Sequence, residues 1–214
     1  MNVLIKRNFI YKVSLISTFF IFIVQNVLSR KIILIQNAEP DEHDNTILSV
    51  VGESRSICLK ELLESKDMIP EAIYAQNPNG DVYTPLPSKT VDYLAKKLNI
   101  KVNTSFKERQ QAKLASNIEN LPDEIGTVLL CWNRYQIELL VRTLGIDDPP
   151  RWNDGFDNLW IVEDDQLDDT TQNLKSCINR VKAELVSDAH SLIYNHHTYT
   201  ITLLFSLILL LLLK

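Results

Sequence analysis

The chain has 214 residues, 45% hydrophobic and 23% charged, with a formal charge of −5 at neutral pH. That length suits one ordinary domain with its own core and is too short for two generous ones. The acidic balance argues against nucleic acid and anionic membrane surfaces as partners.

At the amino end, Lys6, Arg7 and Lys12 precede the apolar run 13–24, with Val27 and Ser29 near its close. This is a signal-peptide pattern, with cleavage expected after Ser29. The run falls short of the ~20 apolar residues that span a bilayer, which disfavours an uncleaved anchor. Losing the three basic residues moves the formal charge from −5 to −8.

"IILIQNAEP", residues 32–40, follows. Lys31 to Ile35 reads as a buried strand. Two neutral amides, Gln36 and Asn37, stand at its carboxyl end, where a strand delivers side chains to a site. A helix is expected over about 49–65, with Val51, Cys58 and Leu62 on one stripe. "EAIYA" at 71–75 gives a second strand, and "QNPNGDVYTPLP" is a loop dense in turn formers. Ser88 is placed to cap a helix whose Val91, Leu94, Ala95 and Leu98 recur at helical spacing. Another helix is expected over 107–119. "TVLLCW" at 127–132 is a third, uninterrupted apolar strand. A helix carrying Ile137, Leu140, Val141 and Leu144 comes next, with Gly145 to end it. "DNLWIV" at 157–162 is a fourth strand. The acidic cluster Glu163, Asp164, Asp165, Asp168 and Asp169 lacks the alternation and glycine of a calcium loop, and reads as a solvated loop. Leu174, Ile178, Val181 and Leu185 mark a last helix.

This alternation of strands and helices implies an α/β fold: a three-layer α/β/α domain around a mainly parallel sheet, assigned to residues 30–165. Residues 166–187 are assigned to a C-terminal helix and linker. Ligands of such sheets bind beyond the carboxyl ends of the strands, which singles out the residues after Ile35 and Leu130.

The carboxyl end, "ITLLFSLILLLLLK", is apolar from Ile201 to Leu213 and lacks a basic cluster. With the small residues around Ser187 and a mostly polar spacer before the tail, residues 188–214 resemble a GPI-attachment signal, Ser187 being the lipid-attachment candidate. The rival is a short transmembrane tail. Either makes a membrane a partner and places the protein in the secretory pathway, membrane-anchored at the cell surface. "NTS" makes Asn103 a glycosylation acceptor.

Cys58, Cys131 and Cys177 allow one disulfide and one leftover thiol, and no bridge is assigned. Their spacing does not suggest zinc. Cys131, with apolar flanks, reads as a buried inert thiol. His190, His196 and His197 fall in the discarded spacer, so no metal role is assigned.

The order of elements from about Lys31 to Val162 resembles the histidine phosphatase superfamily, the phosphoglycerate-mutase-like fold. That family opens with a strand ending in Arg-His-Gly, often followed by Glu. Here the position reads Gln36-Asn37-Ala38-Glu39. "LSVVGESRSICLKELL" matches the leucine, turn glycine and helix that follow, and "AIYA" matches the next strand. The family places an arginine four residues ahead of a threonine on the following helix; here Thr90 has Leu86 at that distance. A second family histidine follows the later strand. Counting back from Ile137 puts Arg134 in that slot, with Asn133 beside it.

The resemblance implies a phosphate pocket whose first histidine becomes phosphohistidine, and this chain departs from the pattern at the decisive positions. The nitrogen lone pair of Asn37 is tied up in amide resonance, so it is no nucleophile. Gln36 and Leu86 replace cations. Two lost charge-assisted contacts, at ~1.5–3 kcal/mol each, remove about 3–6 kcal/mol of phosphate affinity. Arg134 is expected to restore part of that, and Glu39 survives without a nucleophile to serve.

The expected function is therefore a catalytically inactive surface protein with a binding or scaffolding role and a vestigial pocket of Gln36, Asn37, Glu39, Leu86 and Arg134. That pocket would hold a small polar or anionic ligand through Arg134, Asn37 and Gln36, with no cofactor, no metal and an unidentified protein partner. The rival is a residual phosphomonoesterase of altered mechanism using His43 or water.

Overall fold

The computed structural model describes residues 30–81 and 83–187. Residues 1–29, expected to be a signal peptide, and the segment 188–214 with its histidines lie outside the described residues. Among the described residues no helix is long and apolar enough to cross a membrane.

Five strands form one sheet. β1 (Lys31–Gln36) lies at its centre, and β2 (Ala72–Ala75), β3 (Thr127–Trp132), β4 (Asn158–Glu163) and β5 (Gln166–Thr171) complete the order β2-β3-β1-β4-β5. β2, β3 and β1 run parallel, with Ile35 opposite Cys131 and Gln36 opposite Trp132. β4 joins β1 antiparallel and turns back into β5. The parallel strands read as unbroken apolar runs because both faces are covered. Alternate side chains divide between two cores. Ile33 and Ile35 face a layer built from α1 (Val50–Ser65), α2 (Leu86–Leu98) and α5 (175–187). Ile32 and Leu34 face α3 (Gln111–Glu119) and α4 (Arg134–Thr143), together with Trp152 and Trp160. The result is the expected three-layer α/β/α arrangement, its parallel core extended by an antiparallel hairpin.

Four sequence expectations require correction. The acidic cluster is a hairpin: Asp164 and Asp165, at φ 52° and 57°, form a two-residue turn, and Asp168 and Asp169 belong to β5. Aspartate tolerates this left-handed backbone better than most residues, and strands joined by such a turn keep their twist. Residues 166–187 are accordingly part of the domain: β5 extends the sheet, and Leu174, Cys177, Ile178 and Val181 enter its core. Ser88 is not the cap of α2, which starts two residues earlier after Pro85; Pro87 has no N–H to leave unpaired in the first turn. The helix expected from 107 begins at Gln111.

The cysteines also pair. A disulfide joins Cys58 of α1 to Cys177 of α5, with Cα atoms 6.0 Å apart, and leaves Cys131 as the buried free thiol. Burial pushes the Cys131 thiol pKa up, so the neutral form prevails. Gly145, at φ 98°, ends α4, where Ile146 N–H donates to the Val141 carbonyl.

Candidate functional site

The three parallel strands release their chains at the same edge of the sheet, and a cleft of about 420 Å³ lies there. Gln36, Asn37, Leu86 and Arg134 all line it, although they come from separate stretches of sequence.

Gln36 ends β1 at 2% exposure, and its Oε1 accepts from the indole Nε1 of Trp152 at 2.7 Å. A guanidinium at this position would offer that indole no acceptor. Asn37 folds its Nδ2 onto the Ala38 carbonyl oxygen at 3.1 Å. The next amide, Ala38 N–H, donates to Thr90 Oγ1 at 2.8 Å, and that hydroxyl donates to the Leu86 carbonyl at 2.8 Å. Thr90 thus fastens the loop after β1 to the first turn of α2 and sets Leu86 at the cleft.

Arg134 opens α4, and its guanidinium is engaged by Asp154. Nη2 donates to Asp154 Oδ1, Nη1 reaches the Asp154 carbonyl at 3.3 Å, and the group lies 5.0 Å from the Tyr135 ring centroid. Glu39 does not line the cleft: its carboxylate is gripped by Arg55, Nε–Oε2 at 2.9 Å and Nη2–Oε1 at 2.7 Å. Its carbonyl lies so close to Gly52 that a Cβ there would collide with it. Glu39 holds the loop after β1 against α1, a structural role in place of the expected pocket role.

His43 is exposed in the loop 40–49, its backbone N–H bonded to Asp41 Oδ1 at 2.9 Å, and does not line the cleft. It is the sole histidine among the described residues. The same loop contributes Asn45 to the cleft wall.

Several lining residues escape the sequence reading: Gln76, Tyr83, Glu108, Arg109, Tyr135, Gln136 and Phe156. A signal for Gln76 existed, since it follows β2 as Gln36 closes β1, and parallel neighbours discharge at the same edge. Gln76 is 2% exposed, and its Oε1 accepts the Asn133 backbone N–H at 3.0 Å, linking the ends of β2 and β3.

Three of the four charged residues in the cleft lining are ion-paired. Asp81 pairs with Arg109 at 3.3 Å and Arg134 with Asp154. Glu108 Oε1 accepts the Asp81 backbone N–H at 2.8 Å, and that bond holds its pKa below the ordinary carboxylate value. Its Oε2 is covered beside Gly80 with no hydrogen-bond partner among the described residues. Asp81 and Glu108 in the wall balance Arg109 and Arg134, so the lining offers no net positive charge to a phosphate. No group of three or more His, Cys, Asp or Glu that could hold a metal occurs among the described residues.

No family model matches the sequence, and no curated protein does so either. Solved structures do. The chain resembles a SixA protein histidine phosphatase solved with tungstate, at 13% identity and a TM-score of 0.52, covering 68% of this chain and 99% of that one. Phosphoglycerate mutase from Bacillus anthracis is also similar, at 11% identity and a TM-score of 0.45, covering 74% of this chain and 100% of the other. With the sheet and its layers as described, the SixA likeness establishes that this chain has the fold of the histidine phosphatase superfamily.

Proposed function

We propose that the protein is a non-catalytic binding module that keeps the cleft of a histidine-phosphatase fold without its covalent chemistry. The observation that carries this reading is Asn37 at the cleft: an amide whose nitrogen is resonance-bound and already donating to the Ala38 carbonyl. The cleft lining includes neither imidazole nor thiol. Arg134 already shares its charge with Asp154, which reduces what it offers a phosphoryl oxygen, and the acids of the wall oppose the approach of a dianion.

The test is turnover of generic phosphomonoesters by the purified full chain. The expected result is no release of phosphate above the uncatalysed rate. Turnover that disappears in Asn37→Ala or Arg134→Ala would overturn the reading and favour the residual hydrolase.

The proposed setting is the secretory pathway, with the protein held at the cell surface through its carboxyl end and carrying a glycan at Asn103. The Cys58–Cys177 bridge supports an oxidising compartment. The signal-peptide pattern, the Asn103 acceptor and the lipid-attachment pattern at Ser187 support the route. Phosphatidylinositol-specific phospholipase C should release the protein from intact cells; retention would favour a peptide span.

A further inference from the structure

Building on the binding-module reading, we infer that the cleft takes an uncharged, hydroxyl-rich ligand, a carbohydrate, in place of a phosphate ester. The inference comes from the way its amide side chains are oriented.

Four carboxamides of the lining have their oxygens occupied. Gln36 Oε1 accepts from Trp152 Nε1 at 2.7 Å and Gln76 Oε1 from the Asn133 backbone N–H at 3.0 Å. Asn133 Oδ1 accepts from the Tyr135 backbone N–H at 3.0 Å, and Gln136 Oε1 from Gln111 Nε2 at 2.7 Å. Indole and backbone N–H groups only donate, and the Gln111 amide is fixed by a second bond from Nε2 to the Glu108 carbonyl at 2.6 Å. Each of the four oxygens must therefore face its partner, and each NH₂ is the group left over. None of these NH₂ groups has a protein acceptor among the described residues. Gln36 and Gln76 are each 2% exposed and both line the cleft.

Asn37 has the opposite polarity. Its Nδ2 donates to Ala38, which leaves Oδ1 as an acceptor beside those donors. Fixed donors next to a fixed acceptor suit hydroxyl groups, each of which both accepts and donates. At the rim stand Tyr83, 60% exposed, and Tyr135, 77% exposed, large flat side chains on which the C–H face of a sugar ring packs. The volume of about 420 Å³ falls in the range of small-molecule sites. An anion would use the donors, but it would find Glu108 and Asp81 in the wall and the arginines already paired.

Calorimetric titration of the purified full chain tests this. The probes are the methyl glycosides of glucose, mannose and galactose, N-acetylglucosamine and lactose, set beside inorganic phosphate and p-nitrophenyl phosphate. Saturable binding of a saccharide is expected, unchanged between about 0.1 M and about 1 M salt. The same saccharide should bind about tenfold more weakly to Tyr135→Ala and to Gln136→Leu, circular dichroism confirming that both variants remain folded. No binding across the saccharide panel, tighter binding of phosphate than of any saccharide, or unchanged saccharide affinity in both variants would overturn the assignment. Release of p-nitrophenol is read in the same samples. Turnover there sinks the non-catalytic reading, whereas absent turnover without saccharide binding sinks only the ligand class.

Discussion

At Arg55 one buried guanidinium joins three stretches of chain. Nε and Nη2 hold the Glu39 carboxylate after β1, while Nη1 reaches Asp157 Oδ1 at 3.3 Å and Gln172 Oε1 at 3.1 Å on the β4–β5 side. Removing one partner of a buried pair strands the other, at a cost of ~3–5 kcal/mol. Because Asp157 is half exposed, Arg55→Met should fall at the lower end, about 3 kcal/mol by denaturant titration, with much of the loss regained in Arg55→Met with Glu39→Leu. Glu108 predicts a pH effect. A carboxylate whose folded pKa is depressed adds stability above its unfolded pKa and loses it as pH falls through the folded one. The Asp81 amide should therefore lose hydrogen-exchange protection on acidification through and below the ordinary carboxylate range, and Glu108→Gln should flatten that dependence. The positions of Gln36, Asn37 and Arg134 were legible because each stands just after a readable strand, whereas Leu86 was reached only through its spacing from Thr90, the helix start having been read at Ser88. The commitments of the side chains were not legible, since Glu39 meets Arg55 and Arg134 meets Asp154 only once the chain is folded.

Among the elements, β1 and β3 announce themselves as apolar runs covered on both faces, whereas β5 does not. Its "QLDDTT" is an edge strand with most of its side chains in solvent, so no apolar alternation marks it, and its pairing is dictated by β4 across a tight turn. Acidic residues suit that place, because they discourage another chain from adding to the open edge. A polar contact secures the strand instead: the indole Nε1 of Trp160 donates to Asp169 Oδ1 at 2.7 Å. The turn itself holds Asp165 in the left-handed region, which glycine enters without a Cβ penalty. Asp165→Gly should be neutral or stabilising by about 0.5–1 kcal/mol in thermal unfolding, in contrast to the usual effect of glycine within a strand.

Across the whole molecule, the Cys58–Cys177 bridge closes a loop with a sequence separation of 119 and adds a covalent tie between α1 and α5 where Arg180 already meets Glu61 at 2.6 Å. Cross-linking a loop of this size restricts the unfolded chain, with an expected contribution of ~2–5 kcal/mol. Cys177→Ser, or full reduction, should lower the denaturation free energy by that order while the sheet persists by circular dichroism. The pairing was out of reach of sequence alone, because it depends on which helices share a face of the sheet, and residues 166–187 read as an appendage until β5 and α5 were placed.

The same tie sets how the molecule bears load. A pull applied at Ser187 passes through the sulfur atoms into α1, bypassing the hairpin, so at that end traction can peel only the turns of α5 beyond Cys177. In a single-molecule stretching experiment between residues 30 and 187, the span enclosed by the bridge stays hidden, and reducing agent should release roughly 400 Å of additional contour length.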